Sequence, residues 1–173
     1  MPSSDDISGR SFFGNLTMTA SEHEEVGIRR AQSLADYLFL RTLRNRVRQY
    51  MTNNTASIGF MQQIRFYLRT PANVEIYIAR RGGKRVGYLL LQHIGTTTLI
   101  TEAVDASHRG SGIGTRMVRY AQQHHPDLTA EIRIGNTASV RLHEASGFTL
   151  AGTRDDVQCY RYSRSDAQSG VAC

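Results

Sequence analysis

Residues 108–115 read HRGSGIGT: three glycines alternate with Ser111 and Ile113, between an arginine and a threonine. Glycine adopts positive φ at little steric cost and leaves room where a Cβ would otherwise meet a ligand. Such a run prescribes a tight turn, and its neighbours say what it joins. TTTLITEAVD (96–105) is rich in threonine and aliphatic residues, as a strand is. GTRMVRYAQQHH (114–125) sets Ile113, Met117, Tyr120 and Ala121 on one helical face and Arg116, Arg119 and Gln123 on the other. In a strand–turn–helix unit of this kind, main-chain N–H groups and the positive helix end converge on an anion.

Three occupants compete for the turn. A Walker loop needs Gly, four residues, then Gly-Lys-Ser/Thr, and the only lysine is Lys84. A dinucleotide fingerprint needs a glycine five places after its first. From Gly110 that place holds Thr115, and from Gly112 it holds Met117. A turn without a ligand is the third reading.

The rest of the chain fixes the fold class. EVGIRRA (25–31) reads as a short strand. SLADYLFLRTLRNRVRQYM (33–51) reads as a helix, with Ser33 as N-cap and Asn53-Asn54 as its stop. GFMQQIRFYLRT (59–70) reads as a second helix with Phe60, Ile64 and Leu68 on one face, ended by Pro71. VEIYIARRGGKRVGYLLLQHI (74–94) is two β runs joined at Gly82-Gly83. After the helix at 114–125 come a strand at 128–134, a helix at 136–147 and a hairpin at 148–164. The expected architecture is a mixed α/β domain over 25–164, around one twisted sheet with about four helices. Residues 1–24, in which Phe12 and Phe13 could dock, are expected to be a flexible arm, and 165–173 a flexible tail.

Composition narrows the function classes. No apolar run approaches the length of a membrane span, and the polar, acidic start is unlike a secretion signal. No membrane association and a cytoplasmic location are the expectation. Cys159 and Cys173 make neither a disulfide framework nor a metal set, so free thiols and no metal are expected. The net charge of +6 is carried almost wholly by arginine. It reads either as a solvated surface or as a surface for a phosphorylated ligand or acidic partner. No nucleic-acid motif accompanies it, so a nucleic-acid partner is not expected.

Two stretches carry a resemblance. VDASHRGSGIGTRMV, followed by IRIGNTASVRLHEASGF, is similar to the GNAT superfamily of acyl-CoA-dependent N-acyltransferases. Arg109, Gly112 and Gly114 match its acyl-CoA loop, and Asn136, Ser139, Glu144, Gly147 and Phe148 match its next element. The resemblance covers 74–162 well and 25–70 loosely. It implies a mostly antiparallel sheet, splayed where acetyl-CoA binds as cosubstrate. The amides of Gly110, Ser111, Gly112, Ile113, Gly114 and Thr115 would hold the pyrophosphate. Ala103 and Val104 would pair with the pantetheine arm, and an N–H there would polarise the thioester carbonyl. Asn136 and Ser139 would line the cofactor side; Asn136 also reads as a plain helix cap.

The same resemblance assigns the chemistry. An alkylammonium must lose a proton before it can attack, and with a pKa near 10.4 this costs about 3 to 5 kcal/mol at neutral pH. Glu102 is the first candidate base, with a surface ion pair as its structural alternative. His143 stands where the family often places a tyrosine that returns a proton to the leaving thiol; a packing histidine is its alternative. Tyr120 and Tyr160 are fallback donors. Direct transfer is implied, and Cys159 is expected in a strand core, not as a nucleophile.

LRNRVRQYMTNNT is loosely similar to members that acetylate amino groups on nucleotide-linked sugars, with shorter spacing here. Arg44, Asn45 and Arg48 are the matching candidates for acceptor binding. The implied function is N-acetylation of a small amine acceptor, phosphorylated or nucleotide-linked. Two readings stay open beside it: acetylation of a protein or peptide, and a CoA-binding regulatory module without turnover. A homodimer is left open as well.

Overall fold

The computed structural model describes residues 25–52 and 55–165. The expectations for 1–24, for the stop at Asn53-Asn54, for the tail from 166 and for Cys173 lie outside those residues. Seven strands form one sheet: β1 (Gly27–Arg30), β2 (Val74–Arg81), β3 (Lys84–Ile94), β4 (Thr97–Val104), β5 (Asp127–Arg133), β6 (Thr149–Arg154) and β7 (Val157–Ser163). Their order is β1-β2-β3-β4-β5-β7-β6. Every neighbouring pair is antiparallel except β4 and β5, which run parallel. The β2–β3 turn forms at Gly82 and Gly83, with φ of 53° and 73°, the backbone a two-residue hairpin favours.

Four helices cover the sheet. α1 (Leu34–Arg46) and α2 (Phe60–Leu68) lie on one face, where Leu40, Leu43 and Val47 meet Ile76, Ile78 and Tyr88. α3 (Ile113–His124) and α4 (Thr137–Ala145) lie on the other, where Ile113, Met117 and Val118 meet Leu89, Ile100 and Leu128. Among the described residues no helix is long and apolar enough to cross a membrane.

The sheet splits where it matters most. β4 and β5 pair only from Thr98↔Leu128 to Ile100↔Ala130. Beyond that, β4 stays with β3 as far as Val104↔Gly87, and β5 stays with β7 as far as Arg133↔Val157. Each strand follows the twist of its remaining partner. A gap opens between them, and the expected splay is present.

Two helices differ from the periodicity. The helix expected over 33–51 ends at Arg46, and Arg48–Tyr50 is a separate 3-10 turn. In α2 the two ends of the apolar stripe face outward, Phe60 53% and Leu68 71% exposed, with Ile64 between them half-buried, whereas Gln63 is 1% exposed. Tyr37 of α1 sets that register, meeting the rings of Phe66 and Tyr67 at 5.9 and 5.0 Å and the Thr70 hydroxyl at 2.9 Å. Aromatic packing overrides the simple stripe.

Candidate functional site

The turn after β4 begins with Asp105. Its Oδ1 accepts from the amide (3.1 Å) and hydroxyl (2.7 Å) of Ser107, and Arg46 donates to its Oδ2 at 3.0 Å. The Ser111 hydroxyl donates to the His108 carbonyl, so this side chain ties the loop together. Gly110 and Gly112 take φ of 72° and 76°, which only glycine adopts readily. Gly112 caps α3 without any side-chain bond, so the first amides of the helix point outward. Gly114 answers a different need: a Cβ there would stand 3.0 Å from Leu142 of α4. Ile113 is buried in the core beneath the turn.

A groove of about 600 Å³ starts at this turn and runs along β4 to α4. Arg109, Gly110, Gly112, Gly114, Thr115, Ala103, Val104, Asn136 and Ser139 all line it, whereas Ser111 does not. Ala103 pairs with Tyr88 of β3, so its main-chain groups face that strand and not the groove, contrary to the expectation for it. The Asp105 amide bonds to the Val86 carbonyl of β3 at 2.8 Å. By the alternation of an extended strand, the main-chain groups of Val104 and Glu102 then point the other way, into the gap. Asn136 is both cap and wall, because its Oδ1 accepts from the Ser139 amide at 3.4 Å. Arg141 and His108 also line the groove and were missed, since nothing in their spacing marks them.

Glu102 and His143 meet at the floor of the gap. Both side chains are buried, and His143 Nε2 lies 3.6 Å from Glu102 Oε2. His143 Nδ1 is 2.9 Å from the Ser139 carbonyl. A carbonyl only accepts, so Nδ1 carries the hydrogen, and in the neutral ring Nε2 is left as a bare acceptor. That atom is buried with no hydrogen-bond partner. Phe148 packs edge-on against the ring at 4.9 Å and fixes its plane. Burial pushes the Glu102 carboxyl above its usual range, and nearby His143 offsets part of the rise. Of the fallback donors, Tyr160 is buried and donates to Glu144, while Tyr120 packs on Tyr77 and His124. Neither lines the groove. Cys159 is a half-buried free thiol on β7.

A second cavity, of about 160 Å³, opens from the α1 side of the gap. Arg44, Thr101, Glu131 and Thr52 stand on it, and it reaches Glu102 and His143. Tyr50, Met51, Glu102, Asn136 and Ser139 are common to both cavities. The break in α1 is what brings Tyr50 and Met51 there, so the helix expected to run through them hid their place. Asn45 has another task. It holds Ile58 by both ends of its amide, at 2.9 and 3.0 Å. Arg48 is exposed and lines neither cavity.

The model of the acetyltransferase (GNAT) family matches residues 40–148. Curated protein sequences give no match. Among solved structures, spermidine N-acetyltransferase from Vibrio cholerae, in complex with CoA and spermine, superposes with a TM-score of 0.69 at 15% identity, over 81% of this chain and 96% of that one. An N-acetyltransferase from Staphylococcus aureus Mu50 gives 0.68 at 20% identity, over 81% and 99%. The putative acetyltransferase yncA from Salmonella typhimurium, with its cofactor acetyl-CoA, gives 0.64 at 20% identity, over 81% and 94%. At these identities the likeness is one of fold.

Proposed function

This chain belongs to the acetyltransferase (GNAT) family, and we propose that it moves an acetyl group from acetyl-CoA directly to the primary amine of a small acceptor. The residues present fit such a cosubstrate. Outward amides at a glycine turn, with Arg109 and Arg141 nearby, suit a diphosphate. The unpaired edge of β4 suits an extended amide-bearing arm. Bound there, acetyl-CoA supplies the acyl group and the thiol that departs.

One observation carries the reading: a buried carboxyl and an imidazole nitrogen without a partner meet where the two cavities join. Glu102 and His143 act together as one proton relay, 3.6 Å apart. Glu102 takes the proton of the incoming ammonium, and the neutral amine attacks the thioester; a second proton leaves nitrogen as the C–S bond breaks and the amide forms. Of the two, one passes through His143 Nε2 to the departing sulfur and the other leaves to solvent. The Ser139 carbonyl keeps Nε2, and not Nδ1, turned to the gap.

The cavity of about 160 Å³ supports a small head group over a peptide strand. For a phosphorylated or nucleotide-linked acceptor, Arg44 is the supporting residue, since Asn45 and Arg48 are engaged elsewhere or exposed. Calorimetry with acetyl-CoA, followed by thiol release over a panel of amines, tests the proposal. Binding with turnover is expected; absence of binding to the intact protein overturns it.

A further inference from the structure

We propose that Glu131 selects the acceptor and that, together with Arg44, it restricts acceptors to small amines that also carry an anion. The inference rests on the acetyltransferase reading above. Leu128, Ala130 and Ile132 of β5 are buried in the core shared with α3 and α4. Strand alternation turns Glu131 to the opposite face, towards α1. There the Thr52 hydroxyl donates to Glu131 Oε2 at 3.2 Å, and Arg133 Nε donates to the Met51 carbonyl at 2.8 Å. Two side chains of one strand thus hold the 51–52 segment as a wall.

Arg44 stands on the same cavity from the buried face of α1, where it also donates to the Ala56 carbonyl. The acceptor side therefore presents one carboxylate and one guanidinium. Glu102 and the partnerless His143 Nε2 lie across the gap. An acceptor arrives as an ammonium, and Glu131 attracts it in that form before the proton is lost. The carboxylates turn the amine towards β4 and β5 and repel an anion from that wall, which leaves the anion to Arg44. A diamine would set its second cation against a guanidinium. The small volume leaves room for one such dipolar head group.

The anion's source is open to direct test with the full chain, acetyl-CoA and five amines. Phosphoethanolamine represents phosphate and β-alanine carboxylate; ethanolamine and β-alaninamide are their neutral counterparts, and putrescine is the dication. At least one anionic amine should exceed its counterpart and putrescine by about tenfold or more in kcat/KM. Glu131→Gln should raise the acceptor KM about tenfold, with kcat and the acetyl-CoA KM near wild type, and Glu131→Asp should recover part of the loss. Arg44→Gln should erase the preference for the anion. Should that variant disturb the 55–58 loop, the Glu131 pair and the wild-type ranking still decide. Preference for putrescine, or an unchanged acceptor KM in Glu131→Gln, overturns the proposal. So does acetyl-CoA binding without turnover of any of the five, which leaves the acetyltransferase reading standing; absence of acetyl-CoA binding overturns that reading itself.

Discussion

Two buried carboxyls of this protein behave in opposite ways. Asp36, in the first turn of α1, accepts from the amides of Ser33 and Gln32 at 3.2 Å each. Arg80 and Arg85 reach it at 2.6 and 2.7 Å from the β2–β3 hairpin. Burial alone would raise its carboxyl, yet Arg85, those amides and the Ser33 hydroxyl outweigh it and hold it at about 2, from 3.8. The Glu102 side chain is buried as well, but it has an imidazole at 3.6 Å and its own backbone amide where Asp36 has two guanidiniums, and burial wins. The first group is saturated with donors, so its proton is lost for good and its charge pins a helix to a sheet. The second has few donors, and burial holds its carboxyl above the usual range. Donors and burial pull against each other in both groups, and the donors win at Asp36 while burial wins at Glu102.

The sharpest break would come from amide replacements at both places. Glu102→Gln should lower kcat by about 10²–10⁴-fold while leaving stability unchanged or slightly higher, since a strained carboxyl is removed. Asp36→Asn should do the reverse, costing about 3 kcal/mol through the lost cap and two stranded guanidiniums. Its melting temperature should fall by about 6–12 °C with kcat near wild type at 25 °C. Steady-state kinetics beside thermal melts check both; a loss of activity equal at the two sites would erase the contrast.

Acid separates them next. The folded Asp36 carboxyl titrates below its unfolded value, so its contribution is whole above about pH 4 and is lost as pH falls towards 2. Two units at 1.36 kcal/mol each make that loss about 2–3 kcal/mol, read from denaturant midpoints against pH. Glu102 has the opposite sign. Its folded value lies above the unfolded one, so stability is withdrawn as pH rises past 4.5. In Glu102→Gln that upper slope should flatten.

The smallest effect belongs to Gly112, which holds φ of 76°. Alanine there should cost about 1–2 kcal/mol of strain and weaken acetyl-CoA binding about tenfold, with kcat at saturation little changed. Calorimetry and saturation kinetics divide the two terms. A fall in kcat as large as that of Glu102→Gln would tie the turn to proton movement.

Much of the site was legible because its signals are local. Glycines at 110, 112 and 114 declared the turn, and the stretch from Asn136 to Phe148 declared the cap and the imidazole, though not the Phe148 ring that packs on it. Other residues had no local mark. Glu131 alternates like any solvent-facing strand residue until Thr52 meets it. Tyr50 and Met51 continue a helical period until the chain breaks at Val47. Gln63 is polar in an apolar-looking helix, yet it is the residue α2 buries.

The sequence by itself determined the order of strands and helices, the hairpin at Gly82-Gly83 and the glycine turn before α3, since each depends on backbone preferences within a few residues. Only the tertiary structure decided that β4 and β5 part after Ile100 and that Glu102 meets His143 there. Those outcomes rest on which partner each strand twists with and on how few donors reach a buried carboxyl. Both are settled by contacts between residues far apart in the chain.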